Sequence, residues 1–471
     1  MKNKISRQKI KIVKTVCCAV CCTLLSAGSV IAASSLGLQS AVDSALANDP
    51  WLVGNKHAQD SMEAMSVASG TLPDPKVSLG AANLPTDTFN LDQEPMTQLK
   101  IGVTQMIPRG DTLDLTRQQL QMFSTQFPLQ RKDREARVAV MVSDFWLEAY
   151  KAQESIFLIE KDRPLFEQLA DVAEASYSAA LGRTRQQDIV RAQLELTRLD
   201  DRLTKLKQQK EMALENLGGW INENFRREYK PSEQLDPQAG TGNDIALDSM
   251  FPDIKMLDKD LFTAPGEIDP QQLYQYLLHH PAVSDLDQKI KANDLAVELA
   301  KQKYKPEWGL SASYGYRADT PDGSDRADFL SVGVSFDLPI FTKNRQDKQM
   351  ASARSKALST ATQKWQLLRR MVADFEKYRL QLRRLNQRED LYQQTLLPQM
   401  HEQAEASLTA YTNDDGDFAE VVRARIAELN ARIDYLAISI EKQKTITQLN
   451  YYVMQVPNDI VAINEITGDR K

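Results

Sequence analysis

Four acidic residues near the C-terminal end of the chain are the groups most clearly placed to do chemistry. Asp414, Asp415, Asp417 and Glu420 fall within one turn region, and Asp188 is the counterpart of Glu420 in an earlier, similar segment. Carboxylates this close together repel one another and attract cations. The cluster therefore indicates either a cation-attracting constriction or an acidic turn that is exposed to water.

Residue types for enzymatic or metal chemistry are scarce. The four histidines are His57, His279, His280 and His401, and no His/Cys/Asp cluster has the spacing of metal ligands. His279 and His280 could bind a metal, but neighbouring helical side chains point about 100° apart, so a helix-ending role before Pro281 is favoured. Phosphate-binding glycine loops and serine nucleophile motifs are also absent. The sequence predicts neither an enzyme nor a cofactor.

Residues 1–33 have the pattern of a secretory signal peptide. Six basic residues precede an apolar run over about 16–33, which ends in small residues. All four cysteines lie inside this segment, so the mature chain is expected to lack disulfides and a cysteine near its N-terminus that could carry a lipid. Removing the signal changes the net charge from −6 to −12, which disfavours nucleic acid as a partner.

The rest of the chain contains an internal sequence repeat, with an offset of about 231 residues between the two copies. Pro50, Pro75, Gly102 and Pro108 recur as Pro281, Pro306, Gly333 and Pro339. Met-Val-Ser-Asp-Phe at 141–145 recurs as Met-Val-Ala-Asp-Phe at 371–375. A repeat this long is a duplicated domain-sized unit rather than a solenoid module.

Each repeat contains a pair of segments with strict alternation of bulky apolar and small polar residues. They cover about 76–84 and 98–107 in the first repeat, and about 307–317 and 328–339 in the second. Gln105 interrupts the apolar face of the first pair. A soluble hairpin is one interpretation, but four strands in a helical chain leave exposed edges. A lipid-facing barrel closed by other subunits is favoured.

Most of each repeat has the apolar spacing of coiled-coil helices. One such run is Val138, Val142, Phe145, Ala149, Ala152, Ile156 and Ile159, and its counterpart is Met371, Phe375, Tyr378, Leu382 and Leu385. Helical hairpins are predicted at about 111–217 and 343–456, with arms of roughly 75–90 Å. Pro128, Pro164 and Pro398 are expected to kink or divide them.

The predicted organisation follows from these segments. The first structural repeat covers 34–217, a connector around the middle of the molecule covers 218–267, and the second repeat covers 268–456. The loose tail is 457–471. The fold class is mainly α with a membrane β-barrel.

A duplicated strand pair and helical hairpin behind a signal peptide resembles the TolC family of outer-membrane efflux proteins. The matching motifs are Leu-Pro-Asp-Pro at 72–75, Gln-Met-Ile-Pro-Arg-Gly at 105–110, Asp-Ile-Val-Arg-Ala at 188–192 and Glu-Val-Val-Arg-Ala at 420–424. Each motif is weak alone, but the set covers essentially the whole mature chain. The segment 73–117 looks most like the ducts of heavy-metal pumps for copper/silver or cobalt/zinc/cadmium.

The resemblance implies a homotrimer whose 12-stranded barrel lies in the outer membrane and continues as a helical tunnel through the periplasm. It implies an exit duct of a tripartite efflux pump, with a periplasmic adaptor and an inner-membrane transporter, most often of the resistance-nodulation-division type. Two alternatives stay open. One is a duct for type I protein secretion, and the other is a periplasmic adaptor, which would carry one hairpin instead of two.

The resemblance also assigns roles to individual residues. It places Asp414, Asp415, Asp417, Glu420 and Asp188 at a cation-selective pore gate at the periplasmic entrance. The adaptor-docking tips are Leu181, Gly182, Arg183, Arg185 and Tyr411. From the residues themselves, Pro108 and Pro339 are predicted at the strand–helix junctions, where a missing N–H leaves no donor unpaired.

Overall fold

The computed structural model describes residues 35–178, 185–221, 245–266, 268–413 and 416–456. The predicted signal segment, the middle of the connector and the tail after Val456 lie outside these residues. Within them the chain is mostly helical with one small sheet, which confirms this part of the predicted fold class.

In the first repeat, two helices precede a strand pair and three helices follow it, the last two of which are long. These elements are α1 (Leu38–Asn48), α2 (Pro50–Ser69), β1 (Lys76–Ala82), β2 (Gln98–Ile107), α3 (Thr112–Ser124), α4 (Gln126–Ser178) and α5 (Gln186–Ile221). Pro164 lies inside α4, which continues through it.

The second repeat follows the same plan. After α6 (Lys259–Thr263), which lies in the connector, its elements are α7 (Pro270–Leu277), α8 (Pro281–Gln302), β3 (Trp308–Tyr316), β4 (Phe329–Phe336), α9 (Gln346–Leu391), a π-helical turn (Tyr392–Leu396), α10 (Leu397–Thr412) and α11 (Phe418–Tyr452). Pro398 stands at the start of α10, directly after the π-helical turn, so this proline does mark a division.

Helix α2 follows α1 directly, after a break in the backbone at Asp49. Asp49 begins a new helix there: its carboxylate accepts a hydrogen bond from the Trp51 N–H at 3.0 Å, and Pro50 occupies the first helical turn. The same device recurs at α8. His280 Nδ1 accepts from the Ala282 N–H at 3.2 Å, ahead of Pro281. His280 therefore begins a helix rather than ending one.

The four strands form one antiparallel sheet in the order β1-β2-β3-β4. Val77, Val103, Ala312 and Val332 are aligned across all four strands, and the central β2–β3 pairing joins the two repeats. Strands β1 and β4 are the edges.

The helices extend the sheet as a layer. α2 packs on α3, α3 on α8, and α8 on α9, which is the order of the strands that they adjoin. Further along, α5 packs on α4, α4 on α11, and α11 on α9 and α10. Each level therefore has two outer helices, as the sheet has two edge strands.

The described part of the connector lies against these helices. Leu36 and Leu247 form a parallel bridge, and the Trp146 indole N–H donates to the Leu36 carbonyl at 2.9 Å. The Ile254 N–H donates to Gln443 Oε1 at 2.9 Å. Two apolar clusters, one around Trp146 and one around Phe375, contain side chains from both the connector and these helices. None of the helices in the described ranges combines the length and apolar character needed to cross a membrane.

Candidate functional site

One face of the sheet exposes large apolar side chains. Leu79 is 78% exposed, Leu330 75% and Val332 78%, and neighbouring positions on the same face carry Ile101 and Tyr314. Water-facing sheets place polar side chains outward, and exposed apolar patches this continuous mark a contact with lipid or protein. This face therefore requires an apolar environment.

The opposite face is made of small and polar residues packed closely across the strands. A Cβ added at Gly102 would lie 2.8 Å from Ser78 Oγ, and one added at Gly333 would lie 2.9 Å from Ser311 Oγ. Any larger residue at these positions would have to displace the serine hydroxyl, so glycine permits the close approach of the strands' side chains. Lys76 shares this face, and no residue of the described chain forms an ion pair with it.

Gln105, which interrupts the apolar face, is satisfied within the chain. Its Nε2 donates to the Pro73 carbonyl at 2.8 Å and to the Met106 carbonyl at 3.0 Å. The polar amide thus holds the segment before β1 along the end of β2. These hydrogen bonds of Nε2 lower the cost of placing a polar amide on an apolar face.

Pro108 follows the end of β2 directly, and Pro339 lies three residues after the end of β4, in the segment before α9. The contact that ties the junctions together was not predicted. Arg109 reaches across the end of β3, where its guanidinium donates to the Lys305 carbonyl at 2.9 Å and binds the Asp337 carboxylate. Asp337 also accepts from the Glu307 N–H at 2.8 Å. The Gln-Met-Ile-Pro-Arg-Gly motif contained this arginine and could have indicated its role.

The first hairpin tip differs from the expectation at Asp188. This residue is 4% exposed, and its carboxylate accepts from the Arg185 N–H at 2.9 Å. It occupies the third position of α5, where an acid caps the N-terminus of a helix. Asp188 is therefore enclosed as a cap instead of facing an open lumen. Arg185 is exposed, whereas Leu181, Gly182 and Arg183 lie outside the described residues.

The second tip keeps its acids at the surface. Asp417 is exposed and caps α11 by accepting from the Ala419 N–H at 3.2 Å. Glu420 is exposed and pairs with Arg423 at 2.7 Å on the same helix. Asp414 and Asp415 lie outside the described residues. The spacing of Asp417 and Glu420 is that of a helix start, a signal that sequence reasoning passed over.

The structure brings both tips together in one apolar cluster. Leu169 and Ala192 from the first hairpin pack with Phe418 and Val422 from the second. Tyr411 stacks edge-on against Phe418, with ring centroids 5.7 Å apart, and is half-buried. Tyr411 therefore contributes to the tip's own packing as well as to its surface.

A buried acid above the second tip was missed by the sequence analysis. Glu428 is 4% exposed and accepts from His401 Nδ1 at 2.8 Å and from Arg425 at 3.0 Å. It also pairs with Arg432, whose guanidinium lies 3.4 Å from Asp162 on α4. Burial raises the pKa of Glu428, but the hydrogen bonds from His401 and Arg425 and the charge of Arg432 outweigh it, so the pKa is lowered.

This network joins α10, α11 and α4, and its charges are balanced within the chain. No group of three or more His, Cys, Asp or Glu side chains in the described ranges could hold a metal ion. Glu428 itself is surrounded by cations, so it serves as a structural anion.

Comparison with solved structures identifies this architecture. The CmeC outer-membrane channel of Campylobacter jejuni superposes with a TM-score of 0.70 at 13% identity, covering 92% of this chain and 89% of CmeC. The outer-membrane protein VceC of Vibrio cholerae gives 0.69 at 11% identity, covering 89% and 96%. CusC, described in terms of transmembrane channel formation, gives 0.68 at 13% identity, covering 89% and 92%.

The chain has the TolC-family fold. The resemblance inferred from the sequence motifs is confirmed at this level. No protein-family model matches the chain, and no curated protein matches it by sequence. The identities to the six structures compared are uniformly low, at 11–14%. They therefore define the fold without selecting one kind of channel.

Replacing Glu428 by Gln should loosen the second hairpin. Removing one partner of a buried ion pair typically costs about 3–5 kcal/mol. We expect about 2 kcal/mol here, because Arg425 and Arg432 keep Glu405 and Asp162. Amide hydrogen exchange in α11 around Arg425 and Arg432 should accelerate about thirtyfold.

Glu420→Gln is the matched control, since its exposed pair contributes less than about 1 kcal/mol. Because the pKa of Glu428 is lowered, its contribution is complete above about pH 4.5 and is lost as the pH falls further. Protection in the Glu428→Gln protein should therefore vary less in acid. Equal exchange in the two variants would show that the network is not stabilising.

Proposed function

We propose that this protein is the outer-membrane exit duct of a tripartite efflux pump, located in the outer membrane of a Gram-negative bacterium and extending into the periplasm. The observation that carries the proposal is the sheet, with one exposed apolar face, one small polar face and two free edges. Strands with this alternation can span lipid only when every edge is closed. The similarity in fold to outer-membrane channels supports the same conclusion.

Closure requires further copies of the chain. Each chain supplies four strands and, at each level, a layer with two outer helices. Three copies would make a 12-stranded barrel of the family's size, continued by a helical tunnel. The edge helices carry exposed apolar residues that suit such contacts, among them Val67 on α2 and Leu358 on α9. The homotrimer is therefore the assembly that we propose.

The presence of two hairpins argues against the adaptor alternative, since an adaptor would carry one. The partners that we propose are a periplasmic adaptor, an inner-membrane transporter of the resistance-nodulation-division type and outer-membrane lipid. Heavy-metal cations are the proposed cargo class, supported by the resemblance of segment 73–117 and by the acids of the second tip. Protein export is the alternative cargo.

The trimeric barrel can be tested by light scattering and by two neighbouring substitutions. The purified protein should be a detergent-soluble trimer. Val334→Asp puts a charge on the apolar face and should sharply lower the yield of folded trimer, because a charged side chain facing lipid is destabilising and the substitution is repeated in all three chains.

Ser335→Asp is the matched control, since Ser335 lies on the small polar face of the same strand. It should be tolerated far better. A monodisperse monomer, or equal tolerance of the two substitutions, would contradict the barrel.

The hairpin tips are the proposed docking sites for the adaptor, at Leu181, Gly182, Arg183 and Arg185 on one tip and Tyr411 on the other. Arg183→Glu with Arg185→Glu should reduce efflux in a resistance assay without reducing the amount of duct in the membrane. Arg198→Glu, on the exposed side of α5 away from the tip, is the control. Unchanged resistance in the tip variant would remove these arginines from the docking site.

The acids of the second tip are the proposed cation-selective gate. Threefold repetition of Asp414, Asp415, Asp417 and Glu420 would gather about twelve carboxylates. At about 10 Å and an effective dielectric near 20, each like-charged pair costs roughly 1.7 kcal/mol. Asp188 is left out of this ring because it is enclosed as a cap.

Conductance in planar bilayers tests the gate. Asp414→Asn, Asp415→Asn, Asp417→Asn and Glu420→Gln together should weaken cation selectivity and block by divalent ions. Asparagine at 417 keeps the helix cap, so the change is mainly one of charge. Asp200→Asn with Asp201→Asn on α5 is the control. Wild-type selectivity and block in the fourfold variant would show that these acids are not at the pore.

A further inference from the structure

A cavity of about 780 Å³ lies where the strands pass into the helices. Its walls come from the segment after β2, the last turns of α8 and the first turns of α9. Its charged lining residues are Arg109, Lys303, Arg345, Lys356 and Glu307. Four cations and one acid give the cavity an excess of positive charge.

Three of these cations are not committed to any acid. Arg109 is held by Asp337 and lies 3.8 Å from Glu307. In contrast, Lys303, Arg345 and Lys356 form no ion pair with a described residue. Lys364 of α9, which does not line the cavity, pairs with Asp287 at 2.6 Å. The cavity wall thus carries three cations that no described acid neutralises.

The first turn of α9 adds two further features. Gln346 lines the cavity and is 6% exposed, yet its Oε1 has no hydrogen-bond partner. A buried polar atom without a partner is costly and indicates a missing contact. Arg345, at the N-cap position of this 46-residue helix, provides no side-chain cap. Because Arg345 and Gln346 both line the cavity, the positive end of the helix dipole lies at its wall.

We propose that this cavity binds a phosphate group, as a free phosphate or phosphoester or as the headgroup of a phospholipid. The guanidinium of Arg345 and the ammonium groups of Lys303 and Lys356 bind the phosphate oxygens, and the N-terminus of α9 adds its dipole. Oε1 of Gln346 accepts a hydrogen bond from a P–OH group or from an ammonium or hydroxyl on the ester. Nothing in this assignment depends on transport through the protein.

Binding is measured on the full-length protein in detergent, in a chloride buffer of low ionic strength. Inorganic phosphate and glycerophosphoethanolamine are titrated by calorimetry, and retained phospholipid is counted by native mass spectrometry. Arg345→Gln with Lys356→Gln should weaken binding about a hundredfold, at about tenfold or about 1.4 kcal/mol per cation lost. Lys348→Gln with Arg354→Gln removes two cations of α9 that do not line the cavity, and it should change nothing.

The two probes separate the sources of the phosphate. Saturable binding of the soluble probes supports a free ligand. Retained phospholipid that is lost only in the Arg345→Gln, Lys356→Gln protein supports a lipid headgroup. Equal melting temperatures of the two double variants establish that both are folded. Absence of both kinds of binding in the wild-type protein, or equal weakening in the control, would overturn the proposal.

Discussion

The unpaired backbone at the two edges of the sheet is the constraint on which the rest of the molecule depends. β1 and β4 each present a row of N–H and C=O groups that no other strand of the described residues pairs with. In a hydrocarbon environment each such group costs several kcal/mol, so the apolar face cannot meet lipid until the edges are joined to other chains. In the trimer that we propose, folding of the barrel and association of the chains would be a single event, and stability would depend on protomer concentration.

The helical part repeats the same geometry at a larger scale. Because the order α2-α3-α8-α9 copies the order of the strands, the wall passes from sheet to helix without a change of neighbours. Arg109 secures this passage, since it bridges the ends of β2, β3 and β4 with one guanidinium. The long helices then bring both hairpin tips into one apolar cluster. The two repeats are therefore in contact at the tips as well as at the β2–β3 pairing.

Local sequence patterns predicted the strands and helices, but they missed contacts between residues that are far apart in the sequence. Alternation in β3 was read over 307–317, and the strand is Trp308–Tyr316, because side-chain period is a local property. Asp188 was assigned to the pore gate from its charge, and its position at the start of α5, where it acts as a cap, was not considered. The Glu428 network could not be foreseen, since Asp162 and Arg432 are 270 residues apart in the chain. Gln105 was recognised as an exception, but its partner Pro73 becomes visible only in three dimensions.

The helix starts at Asp49 and His280 show what the duplication allows. Both side chains accept an N–H at the same place in the two repeats, but a carboxylate and an imidazole do so with different chemistry. Burial lowers the pKa of His280, although nearby Asp133 opposes this, so the neutral ring that can act as a cap is retained at neutral pH. As the pH falls below the ordinary range of histidine, protonation favours the unfolded state of this junction. The duplication therefore places the same helix start under two different chemistries, an imidazole in one repeat and a carboxylate in the other.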